Sequence, residues 1–155
     1  MSLEQKREDI RKIVEQALEV IGTHAADQHI SLRPRLPDHP VWAVVDSEHL
    51  LRCMVNLIDN AIQVQEGGGI VEVVIKEESD QVTIDVTDQG PGIPDNMHEK
   101  VFLPFFTTRP SGTGLGLSIV KKIVDLHHGD IQVTSANGKG TSFRINLPGH
   151  TGDLS

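Results

Sequence analysis

Apolar residues recur at helical spacing in some stretches of this chain and alternate with polar ones in others. From about Leu3 to His24, the residues Ile10, Ile13, Val14, Ala17, Leu18 and Ile21 fall on one face. That predicts an amphipathic helix ending at Gly22 or just after it. Ile30 to Pro34 and Val41 to Val45 read as short strands, with Pro34, Pro37 and Pro40 confining the segment between them to edges and turns. Asp46 is a good N-cap for a second helix. Its stripe of Leu50, Leu51, Met54, Val55, Leu57, Ile58, Ala61 and Ile62 is wide enough to predict a largely buried helix, ended by Gly67-Gly68-Gly69. Two strands follow, Ile70 to Lys76 and Gln81 to Thr87, the second with a clean period of two at Val82, Ile84 and Val86. From Asp88 to Gly116 glycine, proline and threonine dominate, and only a short helix around Asp95 to Phe102 is expected. A third helix is predicted from about Gly114 to His127. Asp130 to Ser135 and Thr141 to Leu147 then form a hairpin around Asn137-Gly138. This order predicts a two-layer α/β (α+β) sandwich with a mixed, mostly antiparallel sheet of about five or more strands and three main helices.

Composition narrows the function. A length of 155 residues fits one domain, here 1–150, with a loose tail from Gly149 and a possible cloning leader at Met1-Ser2-Leu3. With four Phe, one Trp and no Tyr, the core must be Val, Ile and Leu. A net charge of -8 argues against nucleic acid as a partner, because phosphate backbones need a basic footprint. The single cysteine, Cys53, lies in an apolar helical pattern and reads as a buried structural thiol. No run of eighteen apolar residues is present, and the start MSLEQKRED is too charged for a signal peptide.

Three features carry candidate chemistry. Asn56 and Asn60 stand at i, i+4 on one face of the otherwise apolar second helix. A buried amide without a partner costs on the order of 1–3 kcal/mol, so two of them suggest a shared polar ligand. Amide oxygens suit Mg²⁺ on a phosphate; two amides capping neighbouring loops is the alternative. The second feature is Asp88-Gln89-Gly90-Pro91-Gly92-Ile93-Pro94, directly after a strand. Its glycines permit close backbone approach, and Asp88 could accept from an amino group; an ordinary turn would use the same residues. The third is Gly112-Thr113-Gly114-Leu115-Gly116-Leu117 at a helix start, where free N–H groups and the helix dipole favour anions. No Walker-type Gly-Lys-Ser/Thr follows, and no strand precedes it.

Taken in order, Asn56…Asn60, Asp88-x-Gly90-x-Gly92, Phe102…Phe105-Phe106 and Gly112-x-Gly114-x-Gly116 resemble the N, G1, F and G2 boxes of sensor histidine kinases. The likeness is to their catalytic ATP-binding domain, of the superfamily shared with gyrase, the heat-shock chaperone and mismatch-repair ATPases. It covers roughly Arg11 to Pro148 and includes the closing Gly138-Lys139-Gly140-Thr141-Ser142-Phe143. Phe105-Phe106-Thr107-Thr108-Arg109 resembles the short ATP lid of nitrogen-regulation-type kinases.

The resemblance implies a Bergerat-type sandwich with its three helices on one face of the sheet, and it implies roles. Asn60 would hold Mg²⁺, assisted by Asn56, where related ATPases place a general-base Glu. Asp88 would accept from the adenine amino group, with Thr141 supporting that contact through water. Gly90, Gly92 and Ile93 would pass close to the base. Phe105, Thr108, Gly112, Thr113, Gly114, Leu115, Gly116 and Leu117 would line the lid and phosphates, and Arg109 would meet the terminal phosphate. The family usually has a basic residue and then an aromatic after Asn60-Ala61-Ile62; this chain has Gln63 and Val64, which implies modest ATP affinity.

Such kinases act in two-component signalling. They phosphorylate a histidine on a separate helical-hairpin dimerisation domain, and a response regulator is served from there. None of the eight histidines here has that domain's His-Glu-x-x-Asn/Thr-Pro setting, so the chain reads as an excised cytoplasmic module, monomeric by itself, whose parent could be membrane-anchored. His127 and His128 read as surface or capping histidines at a helix end. Rival readings are a related-fold ATPase, an anti-sigma-type serine kinase and a degenerate nucleotide-binding module.

Overall fold

The computed structural model describes residues 2–106, 116–135 and 138–149. The chain runs through β1 (Lys6–Asp9), α1 (Ile10–Asp27), β2 (Ile30–Arg35), β3 (Trp42–Val45), α2 (Ser47–Gln63), β4 (Gly69–Glu78) and β5 (Gln81–Asp88). Two 3₁₀ turns (Asp95–Met97 and Lys100–Phe102) lead to α3 (Gly116–Leu126), β6 (Asp130–Ser135) and β7 (Thr141–Pro148). The main sheet has the order β2-β4-β5-β7-β6. β2 lies parallel to β4, and every other pair is antiparallel. α2 packs against β4 and β5 and is flanked by α1 and α3. This is the mixed two-layer sandwich that the order of elements predicts.

Alternation decides which face of the sheet is covered. Val71, Val73 and Ile75 of β4, Val82, Ile84 and Val86 of β5, and Phe143, Ile145 and Leu147 of β7 join Leu50, Met54, Leu57 and Ile58 of α2 in one buried cluster. Cys53 is buried there too, and burial pushes its thiol up to about 12, so it is inert as a nucleophile.

The N-terminus departs from the helical expectation. α1 begins at Ile10, not near Leu3, and Lys6–Asp9 pairs with β3 so that Lys6 faces Val45 and Asp9 faces Trp42. Between Leu3 and Ile10 there is no apolar residue to bury, whereas Asp9 is a strong cap. Its carboxylate accepts from Val41 N at 3.0 Å and Arg11 N at 3.2 Å. The Arg7 guanidinium lies 4.2 Å from the Trp42 ring centroid and covers the outside of this small sheet. At its other end α1 runs past Gly22 to Asp27, because buried Ala25 extends its apolar face by a turn. The segment Asp95 to Phe102 forms two 3₁₀ turns instead of one helix; only Val101 in them is buried, too little to hold a longer helix. His127 is not at the surface. It is 4% exposed, with its Nδ1–H donating to Ile123 O at 2.8 Å.

Candidate functional site

The apolar face of the sheet ends in a row of polar residues. Along β5, Val82, Ile84 and Val86 point inward, and Asp88 takes the next inward place. In register beside it stand Thr141 of β7 and then Ser135 of β6. Asp88 is 3% exposed. Its Oδ1 accepts from Gly90 N at 2.8 Å and from Thr141 N at 3.2 Å. Its Oδ2 has no hydrogen-bond partner among the described residues. Burial pushes the Asp88 pKa above the ordinary carboxylate value, against the pull of those two N–H groups. One oxygen is thus fixed by backbone, while the other is a buried acceptor suited to a ligand's amino group.

Glycines close the chain around this carboxylate. Gly92 (φ +83°) and Gly140 (φ +87°) take left-handed conformations that L side chains rarely adopt. A Cβ on Gly140 would strike the Asp88 carbonyl oxygen, so the β6–β7 turn lies directly on the backbone of Asp88. A Cβ on Gly90 would sit 3.0 Å from Val64 Cγ2 and 3.1 Å from Asp88 Oδ1. Ser135 Oγ accepts from Ile93 N at 2.7 Å, donates to Gly140 O at 2.9 Å and lies 3.2 Å from Thr141 Oγ1. The loop is held again by Gly138 N, which donates to Pro91 O at 2.9 Å. Gly90, Gly92, Ile93 and Thr141 are therefore assembled around Asp88, as their positions in the sequence suggest.

Asn56 and Asn60 are half-buried on α2, on either side of the fully buried Leu57 and Ile58, with Asn60 next to Ala61. Neither side chain bonds to another described residue. The carboxylate beside them, Asp59, is committed elsewhere, 3.2 Å from His24 Nε2 and 2.6 Å from Gln63 Nε2. Among the described residues no group of three His, Cys, Asp or Glu could hold a metal. A cation here would have to be bound by amide oxygen together with ligand and water oxygens, which is the donor set Mg²⁺ accepts on a nucleotide.

Gly116 opens α3 with empty space where its Cβ would be, and Leu117 packs partly against the core. Thr108, Arg109, Gly112, Thr113, Gly114 and Leu115 lie outside the described residues. Phe102 packs edge-on against Phe143, 6.0 Å between centroids, and Phe106 also leans on the core. Phe105 does not: it is 74% exposed with φ +66°. Two residues of the site carry no signature in the motifs, Ser135 and Gln65. The signal for Ser135 is the break it makes in the inward series Ile131, Val133, Ser135. Gln65 offers no such pattern, because all its partners are backbone groups.

The chain is similar to known proteins in sequence and fold. The family model described as "Histidine kinase-, DNA gyrase B-, and HSP90-like ATPase" matches residues 45–151. The sensor histidine kinase ZraS of Escherichia coli (strain K12) is 37% identical over 140 residues, covering 90% of this chain and 30% of that protein. Sporulation kinase A of Bacillus subtilis (strain 168) is 33% identical, covering 90% of this chain and 23% of its own length. The chain thus spans about a third or less of these relatives. Among solved structures, the mycobacterial sensor histidine kinase MprB superposes with a TM-score of 0.85 at 32% identity, covering 96% of this chain and 100% of that one. The catalytic domain of histidine kinase ThkA superposes with a TM-score of 0.87 at 27% identity, covering 94% and 96%. The buried Asp88 acceptor, its glycine turns and these matches place the chain in the histidine kinase-, DNA gyrase B- and HSP90-like ATPase family, as an ATP-binding catalytic domain of the sensor histidine kinase type.

Proposed function

We propose that this domain binds ATP with Mg²⁺ and transfers the γ-phosphoryl group to a histidine on a separate helical-hairpin dimerisation domain, from which a response regulator is served. The observation that carries the reading is Asp88, a buried carboxylate with one oxygen locked by backbone N–H groups and the other without a hydrogen-bond partner among the described residues. That acceptor matches the exocyclic amino group of adenine and repels the carbonyl that guanine has at the same place. Thr141 supports it, and Gly90, Gly92 and Ile93 form the wall against the base. Gly116 and Leu117 at the start of α3, with Gly114 and Leu115 before them in the sequence, receive the phosphates on backbone N–H groups. Phe105, Thr108, Gly112 and Thr113 flank them, and Arg109 offsets charge at the terminal phosphate. Asn60, assisted by Asn56, would hold Mg²⁺, which when bound neutralises charge on the phosphates. The half-buried amides, without partners among the described residues, fit that duty.

In the transfer a bond forms between the acceptor imidazole nitrogen and the γ-phosphorus. The bond from that phosphorus to the β–γ bridging oxygen breaks, ADP leaves, and the imidazole proton is lost to solvent. The domain's contribution is positioning and charge neutralisation. Asn56 is no base, which favours transfer to a presented imidazole over activation of water. The module works as a monomer in the cytoplasm, its acceptor supplied in trans. Incubation with labelled ATP, a histidine-hairpin domain and a serine-bearing protein tests this. Acid-labile label on the hairpin is expected; acid-stable label on the serine protein, or release of phosphate alone, would overturn it.

A further inference from the structure

Gln65 lies just past the end of α2 and is 6% exposed. Its amide is fully used. Nε2 donates to Ala61 O and Ile70 O, both at 3.0 Å, and Oε1 accepts from Ile70 N and Gln89 N, both at 3.2 Å. The β4–β5 ladder explains why these partners converge. Val71 opposite Asp88 is its final pair. One step further in the same register would set Ile70 opposite Gln89, and those are the two backbones that Gln65 takes instead. The side-chain amide behaves as an inserted peptide unit, occupying the ladder where β5 leaves it. Gly69 makes the room, since a Cβ there would strike Gln65 Oε1.

We propose that Gln65 is a positioning residue for nucleobase recognition, resting on the assignment of Asp88 as the base acceptor. A direct Ile70–Gln89 pair would prolong β5 by one residue and straighten the turn through which Gly90 N reaches Asp88 Oδ1. By holding Gln89 N, Gln65 makes the chain diverge immediately after Asp88 and fixes the direction of its carboxylate. By donating to Ala61 O, next to Asn60, it ties the same turn to the helix that carries the two amides. Gln65 touches no ligand itself; it sets the spacing between the base end of the site and the metal end.

The test compares the wild-type chain with Gln65→Met, which keeps the length and loses all four hydrogen bonds, and with Asp88→Asn. Calorimetry gives the affinities for non-hydrolysable ATP and GTP analogues with Mg²⁺, and hydrogen exchange follows the amides of Gln89 and Ile84. For Gln65→Met, ATP affinity is expected to fall about tenfold, the share of the lost internal bonding that reaches the base acceptor through the displaced turn. The ATP-to-GTP preference should narrow, and the Gln89 amide should lose protection while that of Ile84 keeps it. Equal losses for both nucleotides, or affinities and preference within about twofold of wild type, a factor worth little free energy, would overturn the proposal. If Gln65→Met does not fold, Gly69→Ala, which displaces the amide with Gln65 in place, carries the same expectation. Should Asp88→Asn leave ATP affinity intact, the assignment of Asp88 fails and this inference with it. Should Asp88→Asn weaken binding while Gln65→Met does not, only the inference falls.

Discussion

His127 Nε2 accepts the backbone N–H of Asp46 at 2.9 Å, a bond across 81 residues that ties the end of α3 to the N-cap of α2. The other ring nitrogen donates to Ile123 O, so the imidazole is held as the neutral Nδ1–H tautomer. Replacing His127 by Ala leaves the Asp46 N–H without its acceptor inside the protein. The expected loss is about 1–3 kcal/mol, the cost of a buried unsatisfied donor. A urea titration reads it as a lower midpoint with an unchanged slope; an unchanged midpoint would show that water replaces the imidazole.

Asp46 sets part of the acid stability. Burial alone would raise its pKa, but N–H groups from Glu4 and His49 and the His49 imidazole outweigh burial and hold it well below the ordinary carboxylate range. A depressed folded value means the stabilisation is present above the unfolded value and is lost as pH falls through the folded one. Asp46→Asn keeps a cap but has no charge to lose. Its stability should match wild type more closely at about pH 3 than at about pH 7, measured by denaturant midpoints at both. Parallel pH profiles for the two proteins would count against this account.

Gly140→Ala puts a methyl group onto the Asp88 carbonyl oxygen at a φ of +87°. The strain of a non-glycine residue at such a position is on the order of 1–3 kcal/mol. Relief by moving the turn displaces Thr141 N from Asp88 Oδ1. Both thermal stability and ATP affinity are therefore expected to drop, whereas Gly138→Ala, whose Cβ meets nothing within 4 Å, should affect stability through its φ of +76° with far less effect on ATP. Equal effects of the two variants on ATP affinity would contradict the close packing assigned to Gly140.

Asn60→Ala and Asp88→Asn should separate the two ends of the site. Asn60→Ala is expected to abolish the Mg²⁺-dependent part of ATP binding and to leave metal-free binding near wild type. Asp88→Asn is expected to weaken binding about tenfold or more with and without Mg²⁺, the scale of a buried charged hydrogen bond replaced by a mismatched one. Paired calorimetric titrations check both, and retained Mg²⁺ dependence in Asn60→Ala would remove that residue from the metal site.

The layers of the fold were legible because burial writes periodicity into the chain. The wide stripe of α2 and the period of two in β5 and β7 follow directly from one covered sheet face. The site was legible where a polar residue ends such a series, as Asp88 ends Val82, Ile84, Val86. The N-terminal strand was not, because Lys6–Asp9 buries little and owes its form to pairing with β3, far along the sequence. Gln65 was equally silent: a side chain that substitutes for a peptide group needs only length and an amide, and no neighbour in the sequence records that it does so. His127 caps the end of α3, one of the two roles expected of it, but its burial was not legible for a related reason, since its second partner is a backbone N–H on another helix.

β5 and β7 are neighbours in the sheet, so everything between Gln89 and Gly140 departs from and returns to the same point. The base of that long excursion is closed by the bond from Thr141 N to Asp88, whatever the span above it contains. Loop-closure entropy grows only with the logarithm of length, about 0.6 kcal/mol per doubling. A change of length in the connection between β5 and β7 therefore costs little in closure entropy, and the Thr141 N–Asp88 bond at its base is kept. The floor proposed to read adenine is thereby set apart from the chain's other spans, so the catalytic habits of such a domain can diverge while its choice of nucleotide stays constant.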